Sequence, residues 1–335
     1  MRPAVVVTGG AGFIGRNLVE ALNQRGEANI YIVDSLGQGE KWRNLKGLAF
    51  EDIWEISDFR RRIGTDSLPE ISTIFHLGAC SATDEQDADF LLDNNFRTTR
   101  EICEWSLRKG ARFIYASSAA TYGDGEHGYD DSDENTPRLS PMNMYGYSKH
   151  MFDLWALRHG LLKSIAGIKY FNVFGPGEDH KGPMRSVVSK AFSQITANGK
   201  VQLFRSHRPE YADGEQVRDF VYVRDAVAQT LYYHDNPSVS GLFNCGSGTA
   251  SSWKRLALAV FAALGREPCL EFIDMPDAIR GKYQYHTLAD TRKARSSGFT
   301  RPFLGLENAV RYYVQGFLAP NPKGSNGANP HAAEA

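Results

Sequence analysis

Tyr145 and Lys149 stand four residues apart in Tyr145-Gly146-Tyr147-Ser148-Lys149. On a helix that spacing puts both side chains on one face, a turn apart. A tyrosine hydroxyl with its ordinary pKa near 10 is a poor base at neutral pH, and a nearby ammonium favours its phenolate form. The pair thus suits acid–base work at an oxygen. Ser117 and Ser118 follow the apolar run Arg112–Ala116, and either hydroxyl could hydrogen-bond a substrate oxygen. Taken alone, a Tyr and a Lys four apart are more often a surface pair, so their meaning depends on what else the chain brings.

A second pattern, Gly10-Ala11-Gly12-Phe13-Ile14-Gly15, reads G-x-G-x-x-G. It follows the β-branched run Ala4–Thr8 and opens a stretch with Ile14, Leu18, Val19 and Leu22 at helical spacing. In that context the glycines permit a tight turn and close backbone approach, and the helix start offers free amides and a positive dipole end to a pyrophosphate. Asp34 ends the next apolar run, Ile30–Val33, about 20 residues on, where an acid meets the adenosine ribose of a dinucleotide. An acid there favours the free 2′-hydroxyl of NAD, whereas Lys41 and Arg43 could neutralise the 2′-phosphate of NADP. The residues themselves support both cofactors.

These groups need a scaffold. Further apolar runs at Thr73–Leu77, Arg112–Ala116 and Ile165–Tyr170 alternate with helix-like stretches at Asp87–Lys109 and Met144–Arg158. Alternating strands and helices predict an α/β fold, a Rossmann-type doubly wound parallel sheet whose ligands gather at the carboxyl ends of the strands. We read residues 1–171 as the dinucleotide-binding domain, with returning elements around 220–246. A smaller C-terminal substrate-binding lobe covers 172–318, and the Pro-, Gly-, Asn- and Ala-rich segment 319–335 is a disordered tail. The segment Phe220–Tyr233 reads as a strand running into a helix, and Arg205–Gln216 as a long loop.

The chain has 335 residues, 42% hydrophobic and 23% charged, with a net charge of −1. Near-neutral charge offers no attraction to nucleic acid, and the longest apolar run, Leu256–Leu264, is too short to cross a membrane. No charged-then-apolar leader opens the chain. Cys80, Cys103, Cys245 and Cys269 are far apart, without metal spacing, which predicts no metal and a reduced, cytoplasmic compartment.

Together Thr8–Gly15, Ser117-Ser118 and Tyr145–Lys149 resemble the extended short-chain dehydrogenase/reductase superfamily, over nearly the whole chain up to the tail. The segments His76–Ser81, Asp93–Asn95, Ala116–Gly123, Tyr170–Val173 and His180–Gly182 are similar to its ADP-heptose 6-epimerase branch. The resemblance implies inversion at the sixth carbon of an ADP-linked heptose, a step toward lipopolysaccharide inner core, by an NADP-dependent cytoplasmic homo-oligomer, a homopentamer. A carbinol C–H is not acidic, so inversion asks for oxidation to a ketone and hydride return to the other face, with the cofactor regenerated at each turnover.

By position the resemblance makes Tyr145 and Lys181 the acid–base groups on two sides of the substrate, with Lys149 positioning the cofactor and Ser118 polarising the oxygen. As a base, Lys181 needs a lowered pKa, from partial burial or a neighbouring cation such as charged His180. Cofactor contacts fall on Gly9, Gly12, Phe13, Ile14, Gly15, Asp34, Ser35, Lys41, Leu77, Gly78, Ala79, Cys80, Ser81, Asn94, Tyr145, Lys149, Val173 and Lys181. Substrate contacts fall on Ser118, Asn172, Pro183, Lys190, Phe204, Arg205, Ser206, His207, Arg218 and Tyr283. Arg218 has a guanidinium fork suited to a diphosphate, or else pairs with Asp219 or Asp225. Pro183, Lys190 and Ile56 depart from the branch, which places a serine, a histidine and a basic residue there. The competing readings are a 4-epimerase or 4,6-dehydratase of the same superfamily, and a non-catalytic dinucleotide-binding regulatory protein.

Overall fold

The computed structural model describes residues 2–281 and 283–319; of the expected disordered tail, everything beyond Ala319 lies outside them. Its strands are β1 (Ala4–Thr8), β2 (Ile30–Val33), β3 (Asp52–Trp54), β4 (Ile71–His76), β5 (Arg112–Ser118), β6 (Ala166–Tyr170), β7 (Asn172–Phe174), β8 (Val201–Phe204), β9 (Val217–Tyr222), β10 (Gly241–Cys245), β11 (Ala250–Ser252) and β12 (Leu270–Ile273). β1 is buried along its whole length, because Ala-Val-Val-Val-Thr presents compact and β-branched side chains to both faces of a covered sheet.

Seven strands form one parallel sheet in the order β10-β6-β5-β4-β1-β2-β3. The fold is therefore α/β and doubly wound. The chain order reverses between β1 and β4, which opens a crevice at the carboxyl ends of those strands. Helices Phe13–Gln24 and Val223–Asp235 cover one face through Leu18, Val19, Leu22, Ala226, Val227 and Leu231. On the other face Phe59, Ile102, Trp105, Phe152 and Ala156 pack from helices Ile56–Gly64, Thr98–Lys109 and Met144–Arg158.

Two elements differ from the sequence reading. β5 does not stop at Ala116: Ser117 and Ser118 pair with Lys169 and Tyr170 of β6, so the serines are the strand's last residues rather than part of the loop after it. The stretch 88–109 is not one regular helix, because a π-helical turn at Leu92–Arg97 joins Ala88–Leu91 to Thr98–Lys109. There the Thr98 hydroxyl donates to the Asp93 carbonyl at 3.0 Å and that of Thr99 to the Asn95 carbonyl. Such turns recur beside functional sites.

One residue after β6, the chain enters β7 and a smaller lobe. β9 runs parallel to β7 and antiparallel to β11, and β8 pairs with β12. Helices Val187–Asn198, Trp253–Leu264 and Leu306–Tyr313 close this core around Val188, Ile195, Leu256, Phe261 and Val310, and Phe13 joins it from the first helix of the large sheet. Helix Val223–Asp235 and strand β10 then return the chain to the large sheet. Among the described residues no helix is long and apolar enough to cross a membrane, and no cluster of His, Cys, Asp or Glu could hold a metal ion.

Candidate active site

At the crevice lies a cleft of about 680 Å³, lined from the carboxyl ends of β1, β4 and β5 and from the segment after β6. Its first wall is the glycine turn. Gly9 sits at φ +69°, a left-handed conformation that costs glycine nothing. Its amide donates to Val33 at 2.7 Å, and its carbonyl accepts from Gly12. Gly15 permits the tightest approach, since a Cβ there would lie 2.0 Å from the Gly9 oxygen. The helix start is thus pressed against the turn, and Phe13 and Ile14, whose amides have no partner within the helix, line the cleft. Asp34 accepts from the Ala11 amide at 2.9 Å and the Ser35 amide at 2.8 Å and forms an ion pair with Lys41. A pyrophosphate fits the amides and a ribose fits Asp34, so these residues suit a dinucleotide.

The floor is equally fixed. The Thr8 hydroxyl lies between His76 Nδ1 (2.8 Å) and the Gly78 amide (2.9 Å). Burial, with a smaller push from Lys149, holds the His76 imidazole down at about 3, so it is neutral. Leu77, Gly78, Ala79, Cys80 and Ser81 all line the cleft. Buried Asn95 holds the backbone of Cys80 by its amide and its carbonyl, each at 2.9 Å, and donates to Ser148 on helix Met144–Arg158. Asn95 was not foreseen, whereas the expected Asn94 bonds Asn95 and stays off the cleft wall. Ser35 also stays off it, its hydroxyl turned to Glu55.

Helix Met144–Arg158 begins at the cleft because Asn143 caps it, accepting from the Gly146 amide at 2.8 Å. Tyr145, Lys149, Ser117 and Ser118 all reach the lining. The two serines have different roles: Ser117 is buried and donates to Asp153 at 2.6 Å, while Ser118 lies beside Tyr145 and favours its ionised form. Of the two hydroxyls, then, Ser118 is the one directed at the acid–base group. Lys149 does not lower the Tyr145 pKa as expected. Its ammonium donates to the Ala116 carbonyl at 2.8 Å, and burial raises the Tyr145 hydroxyl, opposed by Ser118. Burial also brings Lys149 down to about 8, partly offset by Asp153.

Lys181 enters from another element, the turn Asp179–Met184, with its ammonium 5.6 Å from the centre of the Phe13 ring. Burial pushes its pKa down; Glu178 opposes and Lys190 adds to the fall. The expected neighbouring cation is thus Lys190 and not His180. Burial, Lys41 and Lys181 lower the His180 pKa, and its Nδ1 faces the Asn44 amide nitrogen at 3.1 Å, so the imidazole is neutral and accepts. Asn44 also donates to the carbonyls of Ala11 and Gly177, tying this turn to the glycine turn. Asn172 and Val173 line the cleft, whereas Pro183 and exposed Lys190 lie off its wall.

The remaining expected substrate contacts stand off the cleft wall, Phe204 to His207 at and after the end of β8, Arg218 on β9 and Tyr283 after β12. Arg218 is buried, its guanidinium 5.4 Å from the ring of Trp253, a cleft residue, and 5.1 Å from that of Tyr283. Asp219 is not its partner, since that carboxylate accepts from Ser247, Gly248 and Ala289. Burial lowers the Arg218 pKa, and the groups that oppose this are the tyrosines Tyr283, Tyr129 and Tyr211. Phe204 meets Tyr283 edge-on at 6.3 Å. The loop 205–216 folds over Tyr285: the His207 amide donates to its hydroxyl at 3.0 Å and Arg208 lies over its ring. Arg205 is turned to Asp274, and the Ser206 hydroxyl to the Arg208 carbonyl.

Residues 5–246 match the model of the NAD dependent epimerase/dehydratase family. The chain belongs to that family. It is 50% identical to the ADP-L-glycero-D-manno-heptose-6-epimerase of Nitratidesulfovibrio vulgaris, over 97% of this chain and 99% of that protein. The protein of the same name from Fusobacterium nucleatum is 43% identical, over 94% of this chain and 98% of its own. The crystal structure of the Helicobacter pylori ADP-L-glycero-D-manno-heptose-6-epimerase superposes with a TM-score of 0.78 at 28% identity, covering 93% of this chain and 95% of that one. In this family a nicotinamide dinucleotide is the cofactor class, which agrees with the cleft's glycine turn and Asp34.

Proposed function

We propose that this chain inverts the sixth carbon of ADP-D-glycero-D-manno-heptose to give ADP-L-glycero-D-manno-heptose, by way of a ketone. Held by the glycine turn and Asp34, a dinucleotide would supply the hydride acceptor and donor for the carbinol carbon. The protein's own task is to move protons at the oxygen and to hold the sugar while either face is presented.

One observation carries the reading: two proton-handling groups from separate elements line one cleft, and their environments displace them in opposite directions. Tyr145 is raised and stays a proton donor. Lys181 is lowered toward a usable base. Titratable groups pushed apart in this way mark acid and base assignments. Lys181 removes the hydroxyl proton during oxidation of one epimer, Tyr145 protonates the oxygen as hydride returns to the other face, and the roles exchange in the reverse direction. Ser118, beside Tyr145, polarises the oxygen, and Lys149, whose ammonium is held by the Ala116 carbonyl, would hold the nicotinamide ribose. A simple dinucleotide-binding protein would have no use for this arrangement. The ion pair of Lys41 with Asp34 supports NADP, since it neutralises the acid that would otherwise repel a 2′-phosphate. The buried Arg218 guanidinium suits the diphosphate of the substrate. A cytoplasmic homo-oligomer acting in lipopolysaccharide inner-core synthesis belongs to the same reading.

The test is Lys181→Met and Tyr145→Phe, each assayed for epimer formation and for retained dinucleotide. Each variant is expected to lose about 10²-fold or more in turnover, the scale of a lost acid–base group, while binding dinucleotide normally. Near-normal turnover in Lys181→Met contradicts the two-group mechanism.

A further inference from the structure

Beneath the cleft lies an ion pair that the proposed mechanism does not use. Asp153 and Lys169 are both fully buried, with Lys169 Nζ 3.7 Å from the Asp153 carboxylate. Burying two charges is costly, and apolar residues of similar volume often replace such a pair without loss of stability. What distinguishes this pair is where its contacts end.

Asp153 lies one turn beyond Lys149 on helix Met144–Arg158 and accepts from Tyr115 at 2.9 Å and Ser117 at 2.6 Å, both on β5. Lys169, on β6, donates to the Thr121 hydroxyl at 2.9 Å and lies 4.4 Å from the centre of the Tyr122 ring. The Thr121 hydroxyl donates in turn to the Ser118 carbonyl at 2.8 Å. Lys149 itself donates to the Ala116 carbonyl. Three consecutive residues at the cleft end of β5 are therefore held: Ala116 by Lys149, Ser117 by Asp153, and Ser118 by Thr121, which Lys169 orients.

We propose that Asp153 and Lys169 are positioning residues, which lock the Ala116–Ser118 strand end against the acid–base helix. This rests on the epimerase reading for the reaction, though not for the dinucleotide. Among the described residues, Asp153 is the one carboxylate that acts on Lys149. The others that face Lys149 are Tyr145 on its own helix, Ala116 on β5, Cys80 after β4, and the neutral His76 on β4. Around Asp153 stand Tyr115 and Ser117, Lys169, and His150 on its own helix.

The test compares wild type, Asp153→Asn and the double variant Asp153→Asn/Lys169→Met, which carries no lone buried charge. Measured against pH are kcat, KM for the sugar nucleotide, and NADP affinity by fluorescence titration. Asp153→Asn, which leaves the Lys169 cation unopposed, is expected to lose activity and NADP affinity at a lower pH than wild type, while both variants are expected to fall at least fivefold in kcat, with KM for the sugar within threefold. A double variant with the wild-type kcat overturns the proposal and leaves the pair as packing. Should both fail to fold, Thr121→Val cuts the link to Ser118 without touching a charge: kcat is expected to fall at least fivefold at unchanged NADP affinity, and an unchanged kcat overturns the clamp. If wild type does not turn over the sugar nucleotide, the epimerase reading fails, while the pH dependence of NADP affinity still decides the role of Asp153.

Discussion

Replacing Gly15 by alanine adds one methyl group where the structure has no room for it. The new Cβ would lie 2.0 Å from the Gly9 oxygen, 2.7 Å from its carbonyl carbon and 2.9 Å from Gly10 Cα. All three are backbone atoms, so no side chain can swing away. The helix start must retreat by about 1 Å from the turn, an overpacking strain on the order of 1–3 kcal/mol. The retreat also withdraws the Phe13 and Ile14 amides from an anion, and hydrogen bonds to charged groups contribute about 1.5–3 kcal/mol each. Dinucleotide affinity should therefore fall by roughly 10²-fold, at about 1.4 kcal/mol per tenfold. NADP titration and thermal unfolding read both effects. Gly64→Ala is the control: a Cβ there meets nothing within 4 Å, and the glycine ends a helix, so stability should hold or rise by about 0.5–1 kcal/mol. A Gly15→Ala protein that binds NADP within twofold of wild type and melts at the same temperature refutes the close-approach argument.

Three further outcomes follow from the site. Lys149, brought down to about 8 by burial, is charged below that pH and loses its proton as pH rises; kcat/KM should fall about tenfold per unit above it, and a profile flat to pH 9.5 would exclude a role for the charge. Lys41→Ala removes the cation paired with Asp34, so NADP affinity should drop about tenfold or more while NAD affinity changes little; equal losses for both cofactors would mean that Lys41 only supports the loop. Burial raises Asp131 to about 6 from its ordinary 3.8, opposed by the Asn244 amide, which donates to it. Its stabilising contribution is present below pH 3.8 and lost as pH rises through 6, on the order of 3 kcal/mol in all. Urea unfolding of Asp131→Asn should lack that share of the decline, and an identical pH dependence would show that the carboxyl does not titrate with folding.

What was legible in the sequence was local. The glycine turn announces itself because strand, turn and helix are contiguous, and Tyr145 and Lys149 are joined by helical geometry alone. The parallel, doubly wound sheet likewise follows from alternating strands and helices, though not the strand order within it. Pairings set by register between distant strands were not legible. Ser117 reads as a loop hydroxyl until β5 is seen to continue beside Lys169, and Asn95 gains its role only when the π-helical turn brings it to Cys80. Whether Arg218 meets a carboxylate or tyrosines depends on residues drawn from three separate segments. The direction of the Tyr145 shift was missed for a related reason: spacing reveals the neighbouring lysine, but not the carbonyl that takes its ammonium or the depth of burial.

The central claim is oxidation and re-reduction at one carbon. It is tested most directly by incubating the purified protein in deuterium oxide with ADP-D-glycero-D-manno-heptose and NADP, following the sixth-carbon proton by NMR. The account predicts that the L-glycero epimer forms with its sixth-carbon proton retained, because the hydride travels to the dinucleotide and back without meeting solvent. Absence of the epimer, or deuterium at the sixth carbon of the product, would contradict it.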